Sequence, residues 1–214
     1  MYETDEEQIE AIKKWFARWG NLLIGGVLAL LVGYGGFWFY QNQQEQARID
    51  ASDQYQQVVQ LVGTANSLSS EQRDRLDSLF DELVEAHPRS TYAVYTAMLQ
   101  ARYAAVAEDF DQAEERLRWA LEQARDESLQ RLLNLRLARV QFAQGDHDAV
   151  LATLEALDPG SQRVGYAELR GDVHAALGDR AAAREAYTEA WEQAQAQGLN
   201  RPLLQAKAET YGVL

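Results

Sequence analysis

The 214-residue chain contains no cysteine, only three prolines and only three histidines. Without thiols, the protein has no means of forming a disulfide, a thiolate nucleophile, an iron–sulfur cluster or a cysteine zinc site. The absence of thiols suits both oxidising and reducing compartments, so it does not identify the compartment. The scarcity of proline leaves long stretches without a residue that would interrupt a helix.

Positive charge is also scarce. The chain has 20 Lys+Arg against 33 Asp+Glu, which gives a formal net charge of −13. A general nucleic-acid-binding protein needs cationic side chains to replace the counterions of the phosphates, so this balance argues against nucleic acid as a partner. The acidic balance predicts attraction of basic or unfolded cationic client proteins, with binding that weakens steeply as salt is added.

Motifs for catalysis and for cofactor binding are missing as well. The sequence has no H-E-x-x-H, no G-x-S-x-G and no G-x-x-x-x-G-K-[ST]. Acidic residues and arginines occur together at helix-surface spacings, as at Glu114 and Arg118, which is typical of a solvated face. We therefore predict no catalytic residue, no cofactor, no metal and no small-molecule substrate. An enzyme accessory or a hydrolase is the less favoured alternative.

The sequence does contain one long uncharged run, at residues 22–40. It reads LLIGGVLALLVGYGGFWFY, and a helix of this length reaches roughly 28 Å, close to the thickness of the hydrocarbon core of a bilayer. FWFYQNQQ occupies the place where a cleaved signal peptide would carry small residues. An uncleaved transmembrane helix is therefore favoured over a signal peptide and over a buried helix of a soluble core.

Basic residues near this run predict its orientation. Lys13, Lys14 and Arg18 precede the run, whereas Arg48 is the only basic residue close behind it. Because basic residues favour the cytosolic side, the N-terminus is predicted in the cytosol and residues 45–214 across the membrane. The small excess of basic residues leaves a reversed topology as the alternative.

Residues 1–21 predict a short cytosolic amphipathic segment. Ile9, Ile12, Phe16 and Trp19 share one helix face. The neighbouring basic residues can contact anionic membrane lipid while this apolar face enters the interface. The segment is either a helical extension of the anchor or a small cytosolic docking element.

Small residues lie along one side of the predicted span. Gly25, Ala29 and Gly33 recur every four residues, and this spacing lets another membrane helix approach closely. These three residues are the candidates for packing against a partner helix in the membrane. The alternative is that glycine is simply common in membrane helices.

Residues 45–214 predict an all-α domain built from helical hairpins. Windows that start at Glu108, Gly145 and Gly178 align with one another, 37 and 33 residues apart, close to the ~34-residue period of tetratricopeptide repeats. The predicted fold is one N-terminal transmembrane helix followed by a tetratricopeptide-like solenoid of four hairpins, with a short capping helix over its apolar end. The repeat signature comprises Asp109, Ala113, Ala120, Gly145, Asp146, Gly171, Gly178, Asp179, Ala183 and Ala190.

The signature residues have different expected tasks. The aspartates should cap the second helix of each hairpin, the alanines should let two helices nest, and Gly145 and Gly178 should form tight turns with positive φ. Glu108 stands where the other windows have a turn glycine, so its turn is expected to be built differently. Leu157 is expected to fill the helical position that Ala190 fills in the last window.

The chain resembles the YfgM family along essentially its whole length. The resemblance rests on YETDEEQIEAIKKWFARWG before the span, on NLRLARVQFAQGD at residues 134–146 and on YAELRGDVHAALGDRAAAREAYTEAW at residues 166–191. The repeat motif alone is weakly specific, whereas its combination with an acidic-then-basic N-terminus and one anchor is much more specific. The resemblance implies an ancillary subunit of the bacterial SecYEG translocon, with one inner-membrane helix and a periplasmic repeat domain.

The resemblance also implies partners that the residues alone do not indicate. These are SecYEG itself and PpiD, a membrane-anchored periplasmic chaperone of parvulin type, with a role in passing newly translocated proteins to the periplasmic chaperone network. The short cytosolic segment is linked through the same resemblance to negative control of the RcsB stress response. The family offers no catalytic residues to transfer. The alternative function is a repeat-domain scaffold or assembly factor for another envelope machine, such as outer-membrane biogenesis.

Overall fold

A computed structural model describes residues 5–88 and 90–214, without the side chains of residues 5–8, 11, 12, 16, 21–24, 27 and 28. The described residues form helices and no strands, which confirms the all-α prediction for this part of the chain. The helices are α1 (Asp5–Val62), α2 (Ser70–Ala86), α3 (Thr91–Val106), α4 (Phe110–Gln123), α5 (Glu127–Gln144), α6 (His147–Glu155), α7 (Arg163–Ala176), α8 (Arg180–Ala196) and α9 (Pro202–Thr210). A short 3₁₀ turn, Gly160–Gln162, precedes α7.

The chain divides into two compact units, residues 1–50 and residues 51–214. Helix α1 runs without a break from Asp5 to Val62, whereas the sequence pattern treats the span and the first hairpin helix as separate elements. No proline lies within α1, so the ladder of backbone hydrogen bonds has no obligatory interruption.

The predicted span falls partly on residues 22–24, 27 and 28, whose side chains lie outside the described set. Ile12 and Phe16 of the predicted amphipathic segment lie outside it too. Among the residues that the structure does describe, no helix carries an apolar stretch long enough to cross a bilayer. The transmembrane helix and the amphipathic segment therefore stay predictions.

Residues 51–214 form a row of helical hairpins. Val58 and Val62 of α1 pack with Leu76 and Leu79 of α2, and α3 pairs with α4, α5 with α6, and α7 with α8. Helix α9 packs against α8. Within the described part of the chain, the sequence prediction of four hairpins and a capping helix is thus confirmed.

Side-chain caps determine where the second helices begin. Ser69 and Gln72 form a reciprocal capping box at the start of α2, with N–H to oxygen distances of 3.2 and 3.0 Å. Asp109, Asp146 and Asp179 each accept a hydrogen bond from the backbone N–H three residues later, at 3.0–3.1 Å. Each cap satisfies an amide that the first helical turn leaves without a partner.

The turns inside the hairpins share one backbone conformation. Gly145 and Gly178 have φ of 83° and 78°, and Glu108 has φ of 62°. After each of them, an aspartate donates its backbone N–H to the carbonyl five residues earlier, at 2.9–3.0 Å. The expectation of a different turn at Glu108 is therefore wrong. The helix-end hydrogen bond and the following cap fix the backbone there, and together they offset a cost of about 1–2 kcal/mol for a left-handed residue with a Cβ.

Helix α6 is shorter than the repeat alignment predicts. It ends at Glu155, so Leu157 lies beyond the helix and is only half-buried. Pro159 disfavours helical backbone at the residue before it, and the Asp158 carboxylate accepts a hydrogen bond from the Gly160 N–H at 2.9 Å. These local interactions replace the last helical turn, and the expectation for Leu157 is therefore wrong.

Small residues bring the paired helices close together. Ala113, Ala120, Ala183 and Ala190 are fully buried. At Gly171, an added Cβ would lie 2.6 Å from the ring of Tyr187 on α8. Helices α7 and α8 thus approach each other at a distance that only glycine allows at this position.

Candidate binding surface

Helix α3 leaves one stripe of side chains uncovered. Tyr92, Tyr95, Leu99, Arg102 and Val106 recur at intervals of three and four residues, so they share one face of the helix. All five are exposed or half-buried, and the exposed fraction reaches 39% at Tyr95 and 52% at Val106. The remaining faces of α3 are largely buried against neighbouring helices. An aromatic and apolar stripe that includes one cation, Arg102, is therefore open for binding.

Three tyrosines meet at one end of this stripe, and we call them the tyrosine group. The ring of Tyr55 on α1 lies 5.4 Å from that of Tyr92 and 6.1 Å from that of Tyr95, measured between ring centres. Burial raises the pKa of Tyr55, and the neighbouring tyrosines raise it further. The phenol of Tyr55 is therefore neutral at neutral pH, and the group offers aromatic faces together with uncharged hydroxyls.

Helix α5 presents a second stripe. Leu132, Arg136, Arg139 and Ala143 have the same three- and four-residue spacing and are exposed or half-buried. Burial lowers the pKa of Arg136, and the positive charges of Arg139 and Arg102 lower it further. The guanidinium group of Arg136 thus lies in the electrostatic field of the other two. We call Arg102, Arg136 and Arg139 the arginine face.

The arginine face lacks the acidic partners that other arginines have. Arg118 pairs with Glu114 at 2.6 Å and Arg131 with Glu127 at 2.9 Å, each within one helix. Among the described residues, no member of the arginine face forms an ion pair with a carboxylate. The face is therefore an uncompensated positive patch in a chain whose net charge is −13.

The last hairpin carries acids that are already neutralised. Asp172 lies six positions before the turn residue Gly178, and Arg139 lies six positions before the turn residue Gly145. The two residues therefore occupy equivalent positions in their hairpins. The Lys207 ammonium on α9 lies 2.7 Å from a carboxylate oxygen of Asp172 and 3.0 Å from one of Glu168. Both acids are therefore covered by the capping helix.

Two further side chains complete this network. Arg201 pairs with the second carboxylate oxygen of Glu168, and the Tyr187 hydroxyl donates to Asp172 at 2.8 Å. Burial raises the pKa of Tyr187, and its hydrogen bond to Asp172 raises it further. We call Glu168, Asp172, Tyr187, Arg201 and Lys207 the terminal network. Its contacts lie between α7, α8 and the C-terminal segment, so its role is to hold α9 in place.

The residues that the sequence singles out lie elsewhere. The aspartates, alanines and glycines of the repeat signature form caps, buried contacts and turns. The candidate packing residues Gly25, Ala29 and Gly33 lie in α1; Ala29 is exposed, and a Cβ added at Gly25 or Gly33 would meet no atom within 4 Å.

The sequence predicts a binding surface but does not identify its residues, and the arginine face is not among the residues that it singles out. One local signal was available. Arg102, Arg136 and Arg139 have no acidic residue three or four positions away on either side, whereas arginines on solvated helix faces commonly have one. Apolar residues of α3 and α5, among them Ala101 and Leu133, share one buried cluster. This packing brings the three arginines together, and it is a property of the fold.

Comparison with known proteins relates the whole chain to one family. A family model described as a tetratricopeptide repeat-like domain matches residues 13–212. An ancillary SecYEG translocon subunit of Haemophilus influenzae is 32% identical over 88% of this chain and 90% of its own length. Proteins of the same name from Aggregatibacter actinomycetemcomitans and Escherichia coli K12 are each 29% identical, over 96% and 87% of this chain and 97% and 87% of their own lengths.

No solved structure matches the chain. Three observations lead to the same assignment. They are the row of helical hairpins, the match to the repeat model over residues 13–212, and the similarity to relatives over most of both chains. The chain belongs to the tetratricopeptide repeat-like family of ancillary SecYEG translocon subunits, the YfgM family.

Proposed function

We propose that this protein is a non-enzymatic ancillary subunit of the SecYEG translocon. In this role it binds partner chaperones and helps to hand translocated proteins to the periplasmic chaperone network. The observation that carries the proposal is the similarity to relatives with this name over most of both chains. A row of helical hairpins with an open surface is the architecture that repeat scaffolds use for protein partners.

We propose residues 22–40 as the membrane anchor, with residues 1–21 in the cytoplasm and residues 45–214 in the periplasm. The side chains of Leu30, Leu31, Val32, Tyr34 and residues 37–40 are exposed to 60–75%. So large an apolar surface favours contact with lipid or with another protein. The basic residues before the span support the orientation.

The partner side of the proposal rests on the hairpin unit. The tyrosine group and the arginine face supply aromatic rings and guanidinium groups, which are enriched at the centres of protein interfaces. A PpiD-type chaperone and unfolded clients are the partners that we propose for this unit. Negative control of the RcsB response is the finer role that we propose for residues 1–21.

Site-specific photocrosslinking in native membranes tests the translocon role. A photoreactive phenylalanine analogue replaces Tyr95, whose ring is partly exposed, and a second variant carries it at Glu185, which is exposed on α8. We expect crosslinks from position 95 to a translocon subunit or to a membrane-anchored chaperone, and far fewer from position 185. Crosslinks from position 95 to an outer-membrane assembly machine alone would overturn the proposal in favour of the assembly-factor alternative.

The proposed topology has its own test. A reporter enzyme that works only outside the cytoplasm is fused after Leu214, and the same reporter is fused before residue 1. We expect activity from the first fusion and none from the second. The opposite pattern would establish the reversed topology.

The proposed cytosolic role is tested by removing residues 2–18 while keeping the span. We expect transcription controlled by RcsB to rise in cells with this variant. A variant with alanine at Lys13, Lys14 and Arg18 separates the role of the basic residues from that of the segment as a whole. Unchanged transcription in both strains would contradict the regulatory role.

A further inference from the structure

We propose that the arginine face and the tyrosine group together bind an acidic segment of a partner protein. Carboxylates of the segment pair with Arg102, Arg136 and Arg139, and an apolar side chain packs against Tyr95 and Leu99. This inference deepens the proposed function by naming the chemistry of the partner, and only the identity of the partner rests on that function.

Positive charge gathers where α3 and α5 pack together. Arg102 comes from α3, and Arg136 and Arg139 come from α5, so two hairpins contribute to one patch. The two helices are neighbours, because Ala101 of α3 and Leu133 of α5 belong to one buried apolar cluster. Clustering like charges is unfavourable: burial lowers the pKa of Arg136, and the charges of Arg139 and Arg102 lower it further. An arginine still carries its charge at neutral pH. A ligand that brings carboxylates to this patch removes the repulsion and gains charge-assisted hydrogen bonds.

Two acids of the last hairpin are engaged by cations of the C-terminal segment. On the last hairpin, Asp172 and Glu168 are held by Lys207, and Arg201 adds a second partner for Glu168. These acids have their own cations, so they do not compensate the arginine face. At the arginine face, an acidic segment therefore meets no competing carboxylate among the described ion pairs.

The stripe on α3 combines aromatic and apolar side chains with one cation. Tyr95 and Arg102 are seven residues apart on one helix face, which is roughly 10 Å along the helix axis. An extended peptide covers that distance in about three residues. A short segment with apolar residues at one end and acidic residues at the other can therefore contact the tyrosine group and the arginine face at the same time.

The whole-chain charge would suggest the opposite partner, because it predicts attraction of basic clients. That prediction concerns the long-range field of the whole domain. Within about 8–10 Å, at physiological salt, nearby charges dominate over distant ones. The sign of the patch therefore determines which segment is held there, and the patch is positive.

The test uses the full-length protein in nanodiscs of zwitterionic lipid. The probe is a fluorescein-labelled peptide of two leucines followed by four glutamates, and its control peptide has glutamine in place of each glutamate. Fluorescence anisotropy gives the dissociation constants at several salt concentrations. We expect the glutamate peptide to bind at least about tenfold more tightly than the glutamine peptide, with an affinity that falls as salt rises.

Matched charge-reversal variants locate the binding. The test variant is Arg102→Glu with Arg139→Glu, and the control is Arg125→Glu with Arg184→Glu; all four arginines are exposed, and both variants change the net charge equally. We expect the test variant to lose at least about tenfold in affinity for the glutamate peptide and to gain affinity for a peptide with lysine in place of each glutamate. The control variant should lose far less. Circular dichroism of both variants verifies that the helices are intact.

Three outcomes would overturn the inference: equal binding of the glutamate and glutamine peptides, equal losses in the two variants, or binding of the arginine face to phosphatidylglycerol vesicles without binding of the peptide. The last result would identify the face as a lipid-headgroup site. The photocrosslinking above does not depend on the sign of the patch. Translocon crosslinks without peptide binding would therefore remove this inference and leave the proposed function intact.

Discussion

At the scale of single residues, Glu108 holds a backbone conformation that suits glycine. Its φ of 62° matches the turns at Gly145 and Gly178, yet the Cβ makes this conformation costly. The same helix-end hydrogen bond closes all three turns. The hairpin therefore tolerates the strain at Glu108, because the free energy gained from the surrounding contacts exceeds the free energy of the strain.

Replacing Glu108 with glycine should stabilise the protein. We expect the free energy of unfolding to rise by about 0.5–1 kcal/mol, because relief of the left-handed strain outweighs the extra entropy of glycine in the unfolded chain. Urea unfolding followed by circular dichroism measures the change. Gly178→Ala is the reverse experiment and should destabilise by a similar amount. A lower urea midpoint for Glu108→Gly would contradict the argument.

Gly171 should resist even the smallest side chain. A Cβ there lies 2.6 Å from the Tyr187 ring, so Gly171→Ala should cost about 1–3 kcal/mol through overpacking. In a Tyr187→Leu background the same substitution should cost much less, because the obstructing ring is gone. Equal costs in the two backgrounds would show that the contact with the ring is not the cause.

The structural roles of single residues were predictable from sequence where they depend only on neighbouring positions in the chain. The capping aspartates and the turn glycines carry their signal in a few neighbouring positions. Glu108 was not predictable in this way, because its conformation is fixed by hydrogen bonds that form only once the hairpin has formed. The pairing of Tyr187 with Asp172 likewise depends on how α7 and α8 pack.

At the scale of helices, the terminal network decides whether α9 stays docked. Leu204 and Ala208 are fully buried, and Leu204 packs with apolar residues of α7 and α8. Lys207 bridges two acids of α7. Apolar burial and ion pairing therefore act together on a helix of only nine residues, which would be marginal alone in water.

Removing the central cation of the network should loosen this helix. Lys207→Met leaves Asp172 without its cation and Glu168 with Arg201 alone, and we expect a loss of about 1–3 kcal/mol. Hydrogen exchange of the α9 amides should accelerate more than that of α5. Arg184→Met, at an exposed position on α8, is the control and should leave α9 unchanged. Uniform acceleration across all helices would argue against a local role.

The Tyr187 hydroxyl predicts a loss of stability in alkali. Burial and the bond to Asp172 raise its pKa above the ordinary value of 10.0. The unfolded chain therefore ionises first, and the stability from this group is complete below about pH 10 and is lost as pH rises above it. Tyr187→Phe should be less stable than the wild type at pH 7 and should lose less stability between pH 10 and 11. Parallel curves over that interval would contradict this assignment.

The order of the helices followed from the sequence because glycine, proline and cap residues mark helix ends. Two boundaries did not. Helix α6 ends early because Pro159 and the Asp158 side chain reorganise the local backbone. Helix α1 runs on to Val62 because no residue between the predicted span and the first hairpin compels a break.

At the scale of the whole molecule, we propose that a membrane partner packs against the small-residue side of α1. Gly33→Leu should weaken recovery of the translocon or the chaperone with the protein, because the larger side chain keeps a partner helix away. Gly35→Leu makes the same change about 200° around the helix, at a position that is equally open. Co-purification from membranes should fall several-fold for the first variant and little for the second. Equal recovery of both variants would exclude this helix face.

The hairpin order was predictable from sequence because the repeats recur as a pattern in the chain. The family was predictable because that pattern is combined with an acidic-then-basic N-terminus and one long uncharged run. The binding surface was not, because the arginine face joins residues of two helices that lie far apart in sequence. The net charge of the chain also does not predict the sign of the charge on the binding surface. A total of −13 conceals a patch of the opposite sign, since a sum over all residues contains no information about position.

The docking of α9 also constrains how such an array can change in length. The outer flank of the last hairpin is already occupied by Leu204 and the terminal network. A further hairpin added behind α8 would have to displace that neighbour and leave Glu168 and Asp172 without their cations. In lineages of this family, the number of hairpins is therefore expected to increase by duplication of an internal hairpin. Helix α9 and its contacts with the last hairpin are expected to be retained.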